Sequence, residues 1–145
     1  PAAQRARGDE ELLDAGRVNA TVLHEALDVT RDEKAWMVRA LPPEGTAVLN
    51  GDDPNVMWMK GETRARVVTF GFGAACDVRA VDVRIDWPLG TRFRLLAFGN
   101  ERDVSIRLLG RHMVYAALAA IAVAHLEGVP LADALASLAA LAPTP

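Results

Sequence analysis

Ala47-Val48-Leu49 is a short apolar run that stops abruptly in Asn50-Gly51-Asp52-Asp53-Pro54. Continuous rather than alternating apolarity over residues 46–49 predicts a buried strand. Asp53-Pro54 then starts a helix, with proline in the first turn where its missing N–H costs nothing. Polar residues at the exit of a buried strand sit where open α/β sheets bind ligands. This one passage therefore predicts an α/β sheet with a candidate site at its strand ends.

The neighbouring segments extend the pattern. β-Branched residues at 17–23 predict an earlier strand. Thr30 and Glu33 form a capping box for a helix running to about Leu41, with Trp36, Met37, Ala40 and Leu41 as its apolar positions. Pro42-Pro43-Glu44-Gly45 ends that helix. After the Asp53-Pro54 helix, whose Val56, Met57 and Met59 face inward, residues 66–70 (Arg-Val-Val-Thr-Phe) predict another buried strand, broken by Gly71-Phe72-Gly73.

From residue 77 the texture changes to alternation. Residues 77–86, 92–98 and 104–108 read as three strands of an antiparallel meander with one wet face. Pro88-Leu89-Gly90 and Gly99-Asn100 supply its turns. Two helices follow, at 111–127 and 131–141, the second with Leu131, Leu135, Leu138 and Leu141 on one face. The expected fold is α/β: a partial P-loop-type parallel sheet with flanking helices, a small antiparallel meander and a final helical pair. As one incomplete domain over 1–145, it divides into 17–72 (α/β), 77–108 (meander) and 111–142 (helices).

Composition excludes several functions. A net charge of −3 argues against a nucleic-acid binder held by phosphate contacts. One cysteine, Cys76, excludes an internal disulfide framework or a cysteine-rich zinc site. It has no histidine or helix start nearby in sequence to activate it and reads as inert. No apolar run reaches the roughly 18–20 residues of a membrane span. Pro1-Ala2-Ala3 and Pro143-Thr144-Pro145 look like cuts through a larger protein.

Four passages, taken in order, resemble the central ATPase domain of the Mur ligase family. These are Glu33-Lys34-Ala35 opening a helix that leads into the 41–54 segment ending Asn50-Gly51-Asp52-Asp53-Pro54, then Val67-Val68-Thr69-Phe70-Gly71, Gly90-Thr91-Arg92-Phe93, and Leu108-Leu109-Gly110-Arg111-His112-Met113-Val114-Tyr115-Ala116-Ala117-Leu118-Ala119-Ala120. Gly90-Thr91-Arg92-Phe93 resembles the family's meander. The resemblance spans about residues 28–145 and looks nearest the D-alanyl-D-alanine-adding branch. It implies a cytoplasmic ATP-dependent amide ligase of peptidoglycan precursor synthesis, using ATP and Mg²⁺ to activate a carboxylate as an acyl phosphate. Its partners would be nucleotide and a peptidoglycan-type precursor, with no nucleic acid and no membrane span.

The resemblance also implies roles. Lys34 aligns with a lysine that many members carbamylate, against the plain reading of a solvated helix lysine. Asn50 falls near the nucleotide cleft, while Asp52 or Asp53 caps the helix after Pro54. His112 stacks near adenine or hydrogen-bonds a loop, against the plain reading of a half-buried histidine. His24 is a candidate metal ligand but lies closer to Lys34 than the family pattern asks. An ungapped comparison puts Ala20 there, and His24 is otherwise a loop histidine. Trp36, Trp58 and Trp87 read as packing residues.

The chain departs from the family in two ways. Met113 and Ala116 stand where two asparagines are expected at the adenine, which removes amide groups able to read a base edge. No Gly-x-x-x-x-Gly-Lys-Ser/Thr is present, so there is no backbone nest or lysine for the β- and γ-phosphates. The chain alone is expected to lack ligase activity and to bind nucleotide weakly at most. Two alternatives stand beside the ligase: a degenerate Mur-like domain kept for binding or scaffolding, and a cyanophycin- or poly-glutamate-like ligase.

Overall fold

The computed structural model describes residues 30–142, and the chain divides into two compact units, 1–37 and 38–145. The strand expected at 17–23 and His24 lie outside the described residues. A helix, α1, occupies residues 30–39 and crosses the boundary between the units. Thr30 is already helical in α1 rather than its cap. Ala35 and Val38 are its buried positions, whereas Trp36 and Met37 are 71% and 64% exposed. Residues three apart share a helix face, and the next two positions are turned well away from it. The apolar positions expected at Trp36 and Met37 are thus not the buried ones; Ala35 and Val38 form the buried stripe.

In the second unit, β1 (Thr46–Asn50), β2 (Arg66–Gly71), β3 (Val78–Asp86), β4 (Gly90–Ala97) and β5 (Asn100–Ile106) form one sheet in sequence order. β1 and β2 pair in parallel from Thr46↔Arg66 to Asn50↔Phe70. β2 and β3 are parallel through only Phe70↔Val78 and Gly71↔Arg79, after which β3, β4 and β5 run antiparallel. The parallel part and the meander are therefore continuous, with β3 as the joint. Between β1 and β2, a one-turn helix α2 (Pro54–Met57) runs into a 3-10 turn, Trp58–Glu62, whose Met59 is buried.

The hairpin between β4 and β5 explains one shifted boundary. Ala97↔Asn100 is the last pair, so Phe98 and Gly99 are the whole loop. Both have positive φ, 53° and 72°, the geometry of a type I′ turn that matches the twist of the strands. The turn expected at Gly99-Asn100 lies one residue earlier, and β5 starts at Asn100, before the expected 104. The Phe98 ring is held by stacking on His125 at 3.5 Å.

One sheet face carries the core. Val78, Ala80, Phe93, Leu95, Ala97, Val104 and Ile106 cluster with Val114, Ala117, Leu118, Ile121 and Ala122 of α3 (Arg111–Leu126) and with Leu138 of α4 (Leu131–Ala140). Val114, Leu118 and Ile121 recur at helical spacing, which lays one stripe of α3 along the sheet. Leu141 falls past the end of α4 and is 48% exposed. The opposite face of the meander is wet, as its alternation predicts. Arg94 there lies 3.6 Å from Asp82, 3.4 Å from Glu101 and 3.6 Å from Asp103. Trp87, expected to pack, is 79% exposed, and Trp58 is 36% exposed.

Candidate functional site at the strand ends

β1 and β2 run in parallel, so the segments leaving them, 51–53 and 72–77, emerge at the same end of the sheet. The chain turns sharply after β1. The Asn50 side-chain oxygen accepts the Asp52 amide at 3.0 Å, and the Gly51 amide donates to the Phe70 carbonyl at 2.8 Å. Glycine at 51 lets the turn pass close to Cys76: an added Cβ would lie 2.6 Å from its Sγ, and the thiol would have to move. Asp53 then caps α2 by accepting the Asn55 amide at 2.9 Å, as expected for one of the two aspartates.

Asp52 does something else. Its Oδ2 accepts the Phe72 amide at 2.6 Å and the Tyr115 hydroxyl at 2.9 Å. Its Oδ1 accepts the Gly73 amide at 2.8 Å and faces the Cys76 thiol at 3.8 Å. Asp77 secures the other end of the same loop, accepting both the amide and the hydroxyl of Thr69 at 2.8 Å. The Phe72 ring meets the edge of Tyr115 at 4.6 Å and lies 4.1 Å beneath the Arg111 guanidinium.

α3 is placed independently from the meander. Thr91, fully buried, accepts the Gly110 amide at 3.1 Å and donates to the Leu108 carbonyl at 2.9 Å. Gly110 adopts φ +108°, and a Cβ there would lie 2.6 Å from the His112 ring. His112 therefore folds back over Gly110 in the first turn of α3 and is exposed there.

The electrostatics follow from these contacts. Burial pushes the Asp52 carboxyl up, but bonds from Phe72, Gly73, Tyr115 and Cys76 outweigh it, and the net shift is downward. Burial, then the bond to Asp52 and its charge, raises the Tyr115 phenol. Burial and the Asp52 charge raise the Cys76 thiol, which keeps it protonated and poorly nucleophilic, in line with the inert reading. The arrangement is one ionised carboxylate saturated by donors, with no activated nucleophile or poised base.

Of the sequence candidates, Asn50 and His112 belong to this end of the second unit, connected through Asp52, Tyr115 and Phe72. Lys34 is exposed on α1 in the first unit. Tyr115, Phe72, Arg111 and Thr91 were not singled out from sequence. The available signal was that Tyr115 is the sole tyrosine, one turn past His112 in an alanine-rich helix. Among the described residues no group of three or more His, Cys, Asp or Glu side chains could hold a metal ion. Asp52 accepts from the Phe72 and Gly73 amides and Tyr115, and Asp53 caps α2. A groove of about 380 Å³ on the wet face, lined by Asp82, Arg84, Arg92, Arg94 and Asp103, is a less suitable site because its charges largely neutralise one another.

The profile of the Mur ligase middle domain matches residues 23–124. The chain belongs to the Mur ligase middle-domain family. Among curated relatives, the UDP-N-acetylmuramoyl-L-alanyl-D-glutamate–2,6-diaminopimelate ligase of Halalkalibacterium halodurans is 45% identical over 87 residues, covering 60% of this chain and 18% of that protein. The UDP-N-acetylmuramoyl-tripeptide–D-alanyl-D-alanine ligase of Mycobacterium bovis is 37% identical over 116 residues, covering 80% of this chain and 23% of that protein. The solved UDP-N-acetylmuramoylalanyl-D-glutamyl-2,6-diaminopimelate–D-alanyl-D-alanyl ligase of Acinetobacter baumannii aligns with a TM-score of 0.70 at 25% identity, over 79% of this chain and 25% of that one. The chain thus spans between 18% and 23% of the length of these two curated relatives. As a Mur ligase middle domain, it has the expected mixed sheet and helices.

Proposed function

We propose that this Mur ligase middle domain serves an ATP-dependent amide ligase of peptidoglycan precursor synthesis, in the cytoplasm and in the D-alanyl-D-alanine-adding branch. The observation that carries the proposal is the family match over residues 23–124. The branch is supported by the wide coverage of the tripeptide–D-alanyl-D-alanine ligase, 80% of this chain. In such a reaction a precursor carboxylate attacks the γ-phosphorus of ATP, giving an acyl phosphate and ADP. An amine then attacks the acyl carbon, and orthophosphate leaves as the amide forms. Because there is little for side chains to do covalently, positioning and charge stabilisation dominate.

Within this reading Asn50 and His112 contact the nucleotide. Lys34 acts as a carbamylated lysine, and His24 acts as a metal ligand. Arg111, next to His112 and held over the Phe72 ring, adds a cation. Without a phosphate-binding nest in its sequence, this chain alone has no ligase activity and binds nucleotide weakly at most.

The test is a polypeptide carrying this domain with its flanking domains, supplied with Mg-ATP, a UDP-N-acetylmuramoyl peptide and D-alanyl-D-alanine. ADP and phosphate released in equal amounts, dependent on both acceptors, are expected. No ATP consumption with any precursor contradicts the proposal. It would favour the second reading, a Mur-like domain kept for binding or scaffolding. Met113 and Ala116 favour that reading: Met113 packs against the core cluster, and Ala116 presents only a methyl group. Turnover with an amino-acid polymer instead would point to a poly-amino-acid ligase.

A further inference from the structure

We propose that Asp52 is a positioning residue whose carboxylate clamps the loop after β2 to the first turns of α3 and so fixes the direction of Arg111 and His112. The proposal rests on the nucleotide reading above for what those two side chains meet, and on geometry for how they are held.

A carboxylate has about four lone-pair sites, and here four donors meet them. Phe72 N, Gly73 N, Tyr115 Oη and Cys76 Sγ lie at 2.6, 2.8, 2.9 and 3.8 Å. These contacts make Asp52 the acceptor at the centre of the loop–helix junction. The donors come from two places, the 72–76 loop (two consecutive amides and the Cys76 thiol) and a phenol on α3, so the carboxylate joins the two elements.

The clamp reaches Arg111 and His112 by two routes. Tyr115 is four residues after Arg111 and three after His112, so anchoring its hydroxyl sets the rotation of the helix turn that carries both. Phe72, whose amide Asp52 holds, also supplies the ring under the Arg111 guanidinium at 4.1 Å. The loop can wrap this closely because residue 73 is glycine: a Cβ there would sit 2.8 Å from Asp52 Oδ1.

The chain has one tyrosine and one cysteine, and both touch this carboxylate, which makes the clamp directly readable. The experiment uses the whole chain, as wild type, Asp52→Asn and Tyr115→Phe, the last removing only the hydroxyl. Tyrosinate absorbance should show wild-type Tyr115 ionising above the ordinary phenol value and Asp52→Asn returning it toward that value. Amide exchange at Phe72 and Gly73 should quicken at least about tenfold in Asp52→Asn, equivalent to about 1.4 kcal/mol, with Leu95 and Ile106 unchanged. Amide resonances of Arg111 and His112 should move in both variants, and titration with Mg-ATP should show a binding constant weakened by about fivefold or more.

Unmoved Arg111 and His112 resonances in both variants overturn the proposal. So does unchanged Mg-ATP affinity alongside a lowered melting temperature, which would leave Asp52 a merely structural residue. If wild type shows no response to Mg-ATP while the resonances move as expected, the clamp stands and the nucleotide reading fails. Should Asp52→Asn not fold, Tyr115→Phe and alkaline titration of wild-type Tyr115 read the same contact.

Discussion

Tyr115 and Asp52 stand 63 positions apart in sequence, and the phenol donates to the carboxylate at 2.9 Å. The contact joins the end of β1 to the first turns of α3, the two segments that sequence reasoning had marked separately as functional. It also makes folding sensitive to acid. The folded carboxyl titrates below its ordinary value, because its hydrogen bonds outweigh the burial that pushes it up. Its contribution is therefore fully present above the unfolded value, about 3.9, and is lost as pH falls through the lower folded value. Denaturant unfolding of wild type and Asp52→Asn across this range should show a stability gap that narrows steadily below about pH 4.

Thr91→Val keeps the shape of a fully buried side chain and removes its hydroxyl. The Gly110 amide and the Leu108 carbonyl each lose a partner, at 3.1 and 2.9 Å in the native protein. A loss of about 1–3 kcal/mol is expected by chemical denaturation, with faster amide exchange at Gly110. Thr91→Ser, which restores the hydroxyl, should recover most of the slowed exchange.

Gly90→Ala meets two obstacles at once. The backbone there has φ +143°, and the new Cβ would lie 2.0 Å from the Ile106 carbonyl oxygen. The contact is with backbone, so β4 and β5 must separate locally. We expect destabilisation of about 3 kcal/mol or more, read as a lowered denaturation midpoint. At Gly99, where φ is +72° but nothing lies within 4 Å of the added methyl, alanine should cost about 1 kcal/mol, the backbone preference alone.

Sequence patterns located elements better than contacts. The apolar run into Asn50 and the alternation of the meander reported their own burial, so β1, β2 and the wet face were legible. So was the capping by Asp53, because proline follows it directly. In α1 the apolar residues at helical spacing did not mark the buried face: Ala35 and Val38 carry the stripe, while Trp36 and Met37 are exposed. β5 began earlier than expected because Phe98 occupies a left-handed position that glycine or asparagine normally signals. The role of Asp52 was hidden for a different reason. Its partners lie 20, 21, 24 and 63 residues away, and an aspartate before a proline helix reads equally well as a cap.

The central claim, that the strand end at Asn50 and the start of α3 form one wall of a nucleotide site, is tested by titrating the isotopically labelled chain with Mg-ATP. The account predicts weak binding, about 1 mM or poorer and so about −4 kcal/mol or less in magnitude, with responses concentrated at Asn50, Asp52 and residues 111–113. Micromolar binding, or responses confined to the meander's charged face around Arg84 and Arg94, would contradict it.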